Sequence, residues 1–297
     1  MNQRSGYVGV VGRPNVGKST LLNRLVGQKI SITAPKPQTT RHQILGIVTT
    51  EQGQAVLVDT PGLHTRQKGA LNRYLNRAAA SVLEGVDLVL FVVQAGRFDE
   101  EDQAVLERLE NVSVPVVLVV NKVDLVPDKN ALLPFLADIG ARRDFAAVVP
   151  ISARRERSAG PVLEEMFRLL PEGDPMFDPD QVTTASVRFM AAEIVREKLA
   201  RAVHDEIPYS TTVEIERFEE GPQTAHIDAV IYVERPGQKG IVIGQGGAKL
   251  KEIGRQARID IERLLERPVM LKLWVKVRED WADDNRALSA LGYQLNE

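Results

Sequence analysis

Three clusters in the first half of the sequence have residue types and spacings suited to holding a polyphosphate. Residues 12–19 read Gly-Arg-Pro-Asn-Val-Gly-Lys-Ser. Gly12 and Gly17 let backbone N–H groups approach phosphate oxygens, Lys18 supplies a compact cation, and the Ser19 hydroxyl suits a divalent metal. Asn15, Val16 and Thr20 lie in or just beyond the loop and complete the cradle with its amides. Asp59-Thr-Pro-Gly62 follows an apolar run. A carboxylate there can hold a water of Mg²⁺, and the Gly62 N–H can meet a terminal phosphate. The same tetrapeptide is also ordinary turn chemistry. Asn121-Lys122-Val123-Asp124 closes another apolar run. A carboxylate at Asp124 can accept both donors on one edge of guanine, N1–H and the 2-amino group. Adenine offers no such pair and would leave the carboxylate unsatisfied. Ser152 and Ala153 stand where a loop can close over the base.

These clusters need strands and helices to position them, and the sequence supplies both. Residues 7–11, 55–58, 88–93, 116–120 and 147–151 are short, Val-rich and nearly continuous in apolar character. Strands covered on both faces look like this. Residues 18–26, 71–83, 102–109, 131–136 and 160–170 carry helical periodicity between them. Repeated strand–helix units predict a doubly wound, mostly parallel α/β sheet, with each chemical cluster at the end of a strand. Residues 171–179 hold three prolines and a glycine, which neither a helix nor a central strand accepts. The expected division is 1–173 for the first domain, 174–184 for a linker and 185–297 for a second domain.

The second half has another rhythm. Val187, Ala191, Ile194, Leu199 and Ala202 recur at helical spacing, and 212–218 and 225–233 alternate as strands. A glycine-rich turn over 237–247 precedes a helical stripe of Leu250, Ile253, Ala257, Ile261 and Leu264, interrupted by Gly254. Residues 269–277 alternate again. Residues 235–276 carry ten basic and four acidic side chains, a local excess that suits either a solvated helix face or a polyanion patch. Trp274 stands on the polar face of the last strand, where packing is favoured over stacking on a base.

Residues 1–170 resemble a translation-factor-related GTPase domain. The carriers are the glycine loop, Gln38-Thr39-Thr40-Arg41, Asp59 to Gly62, Asn121 to Asp124, and Ser152-Ala153. The resemblance implies GTP and GDP as ligands, Mg²⁺ as cofactor, and Lys18, Thr40, Asp59 and Gly62 as the catalytic set. Mg²⁺ is then held by Ser19 and Thr40, and by Asp59 through water, with Thr39 the alternative to Thr40. Leu63 follows Gly62 where many such enzymes carry a water-orienting glutamine, and Gln67 is no obvious substitute. Slow intrinsic hydrolysis is expected. Two roles are open to Asn15: helping to hold K⁺ near the phosphates, or capping the turn.

In the second half, Gly244-Gln245-Gly246-Gly247 fits G-x-x-G, and the element order resembles a smaller α+β domain of KH type II. That resemblance implies a single-stranded RNA clamped by Ile243, Gly244, Gln245, Gly246 and Gly247, with Lys249, Lys251, Arg255 and Arg258 as phosphate contacts. Ile253 has two readings, an apolar floor under the bases or plain core, and core is favoured for its inner edge. A GTPase domain followed by a KH domain, over essentially the whole chain, is similar to the bacterial Era family. The family implies binding to the 3′ end of 16S rRNA, a checkpoint in maturation of the 30S ribosomal subunit, a monomer, and a cytoplasmic place with peripheral inner-membrane association. Competing readings are a GTPase in tRNA modification, a membrane-acting GTPase, and a non-enzymatic RNA-binding module with a structural nucleotide.

Composition removes other chemistries. The 297 residues contain no cysteine, so disulfides, zinc–thiolate sites and thiol catalysis are out. The four histidines, His42, His64, His204 and His226, are dispersed without ligand spacing. No secretory signal pattern precedes residue 12, and the apolar runs are of strand length. A formal charge of −2 excludes a uniformly basic surface, so any RNA contact must be a patch.

Overall fold

A computed structural model of the chain describes residues 3–34, 36, 39–61, 70–155, 158–203, 207–291 and 293. Contacts divide the chain into two compact units. The first comprises Met1–Ser31, Thr40–Lys68 and Asn72–Thr184; the second comprises Ile32–Thr39, Gly69–Leu71 and Ala185–Glu297.

The first unit is built on a six-stranded sheet of order β2-β3-β1-β4-β5-β6. The strands are β1 (Arg4–Val11), β2 (Ile44–Thr50), β3 (Gly53–Asp59), β4 (Leu88–Gln94), β5 (Val116–Asn121) and β6 (Ala147–Pro150). All neighbours run parallel except β2, which pairs antiparallel with β3 at the edge. β3 is buried throughout, and so is β5, as the apolar runs 55–58 and 116–120 within them require. The helices are α1 (Lys18–Val26), α2 (Ala70–Ser81), α3 (Glu100–Leu109), α4 (Leu132–Gly140) and α5 (Gly160–Leu169). β3 and β4 flank β1 on opposite sides, so the sheet has its topological switch point there. The crevice beyond the carboxyl end of β1 is where such sheets bind ligands.

Two features differ from the expectation. β2 is an additional strand; its run Ile-Leu-Gly-Ile-Val-Thr-Thr mixes buried and partly exposed positions and lacks the continuous apolar signature of the central strands. The expected linker is also ordered. Ile47 N–H donates to the Val182 carbonyl (2.9 Å), and the Thr183 hydroxyl donates to the Leu45 carbonyl (2.7 Å). Gln54, fully buried, accepts from the Met176 and Phe177 amides (both 2.8 Å) and donates to the Phe177 carbonyl (2.9 Å). These bonds satisfy part of the open edge of β2, which would otherwise be a template for mispairing.

The second unit contains α6 (Val187–Ala202), β7 (Thr211–Glu220), β8 (Ala225–Val233), α7 (Pro236–Ile243), α8 (Ala248–Leu265), β9 (Val269–Val277) and α9 (Asn285–Ala290). Its sheet has the order β7-β8-β9, antiparallel between β7 and β8 and parallel between β8 and β9. Ala191, Val195 and Leu199 of α6 pack with Ile227 and Ile231 of β8 and Ile253 and Ala257 of α8. The expected glycine turn over 237–247 is a correction: residues 236–243 form α7, with Pro236 at its first turn, where a missing N–H costs nothing. Gly254 does not break α8. A Cβ there would meet Leu273 Cδ1 at 3.3 Å, so the glycine lets helix and strand approach. Among the described residues no helix is long and apolar enough to cross a membrane.

Candidate nucleotide site and nucleic-acid groove

The loop from Gly12 to Gly17 leaves β1 and enters α1. Lys18 is buried, and its Nζ donates to the carbonyls of Gly12 (2.9 Å) and Arg13 (3.0 Å) across the loop. An ammonium has three donors, so one remains for an anion. Burial lowers its pKa from 10.5 to about 8, opposed by the charge of Asp59. An incoming phosphate would favour the charged form further.

Ser19, Thr40 and Asp59 converge. The Ser19 and Thr40 hydroxyls are 2.8 Å apart, and Thr40 Oγ1 is 3.4 Å from Asp59 Oδ2. Ser31 Oγ donates to the same carboxylate oxygen at 2.7 Å. Asp59 Oδ1 is buried and has no hydrogen-bond partner among the described residues. Burial pushes the Asp59 carboxyl above its ordinary value, with Ser31 and then Lys18 pulling it down. Two hydroxyls and an unsatisfied carboxylate oxygen form a hard-oxygen donor set that fits Mg²⁺. Thr39 is placed otherwise: its hydroxyl donates to the Lys36 carbonyl (2.6 Å) and the Ala34 carbonyl (3.3 Å). Gln38, Gly62, Leu63 and Gln67 lie outside the described residues.

Asn121, at the end of β5, ties three clusters together. Its Nδ2 donates to the Val16 carbonyl (2.8 Å), and its Oδ1 accepts from the amides of Lys122 (2.7 Å) and Ala153 (2.9 Å). A Cβ at Gly17 would lie 2.3 Å from Asn121 Nδ2, and Gly17 has φ +105. That position therefore needs glycine both for its backbone and for this close approach. Lys122 Nζ reaches the Asn15 carbonyl (2.6 Å) and Gln94 Oε1 (2.9 Å), bracing the base loop against the phosphate loop. Asp124 is partly exposed. Its carboxyl is held below the usual range, first by the Ser152 hydroxyl and further by Arg155 and Arg154. An ionised acceptor is what a pair of guanine donors requires. Asn15 takes a left-handed φ of 63, and its exposed side chain makes no hydrogen bond among the described residues, which disfavours the capping role. Thr20 lies in the first turn of α1.

Sequence reasoning missed two supports. Ser31 has no motif around it; only folding brings it to Asp59. Arg13 is 5% exposed, and its Nε donates to Asp102 Oδ2 (2.8 Å) on α3. Asp102 also closes a capping box with Asp99, a pattern visible in the sequence as Asp-x-x-Asp.

In the second unit, Gly244, Gly246 and Gly247 all have positive φ between α7 and α8. At Gly244 a Cβ would meet Lys249 Cβ at 2.7 Å. A cavity of about 450 Å³ is bordered by Gly247, Leu250, Lys251, Gly254, Arg255, Arg258, Leu271 and Leu273. Its apolar floor comes from Leu250, Leu271 and Leu273. Ile253 is 1% exposed in the core, and Ile243 packs, half-buried, against the same core. Gln245 and Gly246 are exposed at the loop tip, and Lys249 is partly exposed beside it. Arg255 is exposed and held by Glu252 at 2.7 Å, an ion pair that costs little to open for a phosphate. Trp274 is 42% exposed, so the favoured packing role leaves much of the ring in solvent.

A phosphate loop at a sheet switch point, with a base loop shaped for guanine, joined to an α-β-β-α-α-β unit with a glycine clamp, defines a P-loop GTPase carrying a KH domain. Two family profiles match in that order: "50S ribosome-binding GTPase" over residues 7–122 and "KH domain" over residues 206–282. The chain belongs to the Era family of GTPases. It is 56% identical to GTPase Era of Xanthomonas oryzae pv. oryzae over 98% of this chain and 97% of that protein. Against GTPase Era of Stenotrophomonas maltophilia it is also 56% identical, over 97% of each chain. Among solved structures, an Aquifex aeolicus Era variant bound to GDP·AlF4⁻ superposes with a TM-score of 0.92 at 38% identity, covering 99% of this chain and 100% of that one. Era in complex with MgGDPNP and nucleotides 1506–1542 of 16S ribosomal RNA matches with the same score, identity and coverage.

Proposed function

We propose that this chain is a GTP-hydrolysing switch whose second unit binds the 3′ end of 16S rRNA during maturation of the small ribosomal subunit. One observation carries the reading: the glycine loop and the cations Lys251, Arg255 and Arg258 border a single groove with an apolar floor. Its apolar floor suits unstacked bases and its cationic rim suits a sugar–phosphate chain. The relative crystallised with MgGDPNP and 16S rRNA nucleotides supports the choice of RNA.

In the first unit, Gly12, Val16, Gly17 and Thr20 present backbone amides to the phosphates, and Lys18 presents its remaining N–H. Ser19 and Thr40 ligate Mg²⁺ directly and Asp59 does so through water; Gly62 meets the γ-phosphate. Asp124 accepts from guanine, with Asn121, Lys122, Ser152 and Ala153 shaping the base pocket. Bound Mg²⁺ supplies charge neutralisation between the β- and γ-phosphates. The residues themselves position and exclude water. With Leu63 after Gly62, no side chain there orients the attacking water, so intrinsic hydrolysis is slow. Asn15 assists a K⁺ beside the phosphates, a role its unbonded side chain leaves open.

In this reading the protein works as a monomer in the cytoplasm, with peripheral inner-membrane association as the finer form; co-sedimentation with inner-membrane vesicles tests the latter. The principal experiment is binding of labelled RNA from the 3′ end of 16S rRNA with GTP analogue and with GDP at fixed salt. Gly246→Asp is the control, because φ 57 is open to Asp and nothing crowds a Cβ there. Binding abolished by that change supports the reading. Equal binding by wild type and variant refutes the clamp.

A further inference from the structure

Helix α6 buries more charge than its own sheet explains. Ala191, Ile194, Val195 and Leu199 supply its core face. On its other faces Glu193, Arg196, Glu197 and Lys198 are only 7%, 3%, 0% and 8% exposed. Buried charges persist only where partners compensate their lost hydration. Lys198 has one in Asp260 of α8. Glu193 holds Arg196 through two bonds of 2.7 Å, to Nε and Nη2, and Glu197 faces Arg201 at 2.5 Å.

Both arginines also donate to residues of Ile32–Thr39, which belongs to the second unit. Arg196 Nη2 donates to the Thr39 carbonyl. Arg201 donates to the Thr33 carbonyl from Nε (3.1 Å) and Nη2 (2.6 Å), and to Thr33 Oγ1 (3.1 Å). Lys36 returns a bond to the carbonyl of Val203, the residue that caps α6. Thr39 is joined by one peptide to Thr40, whose hydroxyl stands 2.8 Å from Ser19.

We propose that the charged face of α6 holds the backbone at Thr33 and Thr39, with Arg196 a positioning residue for Thr40. The proposal rests on the GTPase reading above. Thr40 can reach a metal only if the backbone before it is held, and the hold is a guanidinium fixed by Glu193 rather than a group of the nucleotide site. A change at Thr40 is thus one peptide away from the bond that Arg196 makes to Thr39. Linkage then requires RNA and the γ-phosphate to favour each other through it by the same factor.

Two variants test this. Arg196→Lys keeps a cation beside Glu193 but cannot fork between that carboxylate and the Thr39 carbonyl. Arg201→Ala truncates the more exposed of the two arginines (45% exposed), and circular dichroism confirms that each variant is folded before binding is compared. Binding of fluorescent GTP analogue is titrated with Mg²⁺ and compared with GDP; RNA affinity is measured in both nucleotide states. In Arg196→Lys the Mg²⁺ needed for half-maximal analogue binding rises about tenfold, more than for GDP. The ratio of RNA affinities with analogue and with GDP falls toward one, and in Arg201→Ala it falls part of the way. A wild-type ratio that both variants retain in full, at unchanged Mg²⁺ demand, overturns the proposal. If the wild type binds neither analogue nor RNA, the underlying reading fails and takes this inference with it.

Discussion

Gly17→Ala should damage the nucleotide site through Asn121, and a double-mutant cycle can prove it. The added methyl carries two separable costs. The backbone at φ +105 is unfavourable for any residue with a Cβ, worth about 1–3 kcal/mol. The methyl would also stand 2.3 Å from Asn121 Nδ2, so that amide must leave. Asn121 is 2% exposed, and moving it breaks at least the 2.8 Å bond to the Val16 carbonyl where water cannot replace it. A buried unpaired carbonyl costs about 1–3 kcal/mol. Gly17→Ala alone should therefore cost about 2–6 kcal/mol. In an Asn121→Ala background only the backbone cost remains, giving a coupling energy of about 1–3 kcal/mol. Urea unfolding without nucleotide, followed by far-UV circular dichroism, measures all four corners. Both tryptophans, Trp274 and Trp281, lie in the second unit, so their fluorescence follows that unit separately. Additivity within about 0.5 kcal/mol would refute the reasoning, because it would mean the methyl is absorbed without moving Asn121.

Asp124→Asn should weaken guanine nucleotides and favour xanthine ones, because an amide donor then faces the C2 carbonyl of xanthine; competition binding of GDP and XDP reads the reversal. Asp102→Ala leaves buried Arg13 with only the longer contact to Asp99 (3.6 Å) and removes one half of the capping box of α3, costing about 3 kcal/mol in urea unfolding. Burial first, then Asp283, raises the Glu234 carboxyl above its ordinary value, with Asp280 adding to the repulsion against Arg235. A raised carboxylate favours the folded state at low pH and loses that advantage as pH rises through the folded value. Glu234→Gln should therefore raise the melting temperature of the tryptophan-reported transition at neutral pH, by an amount that shrinks toward pH 4. If K⁺ assists at Asn15, hydrolysis at matched ionic strength should be faster in K⁺ than in Na⁺, and Asn15→Ala should remove the difference; equal rates would eliminate the ion.

The parts of this molecule legible in the sequence are those where one physical demand fills consecutive positions. The central strands had to be apolar on both faces, and the chemical clusters had to follow them, so strand ends and sites were found together. β2 escapes the pattern because Gly46 interrupts its apolar run and Thr49 and Thr50 close it, although its middle is buried on both faces. Around helix α7, Gly237 and Gly240 suggest a turn and leave one helix or two open; Pro236 at the helix start and the packing of Val242, fully buried, decide for two.

What no local pattern could disclose is the assembly of groups far apart in the chain. Ser31 on Asp59, Arg13 on Asp102, and Arg196 on the Thr39 carbonyl each join residues whose neighbours give no hint of the pairing. The last is the most telling. Glu193, Arg196 and Glu197 would read in any isolated helix as a solvated face. Part of what compensates their burial is the backbone at Thr33 and Thr39. A polar helix face that turns out to be dry marks a place where one element has been shaped for another, and here the bound residue Thr39 leads directly into Thr40, whose hydroxyl lies 2.8 Å from that of Ser19.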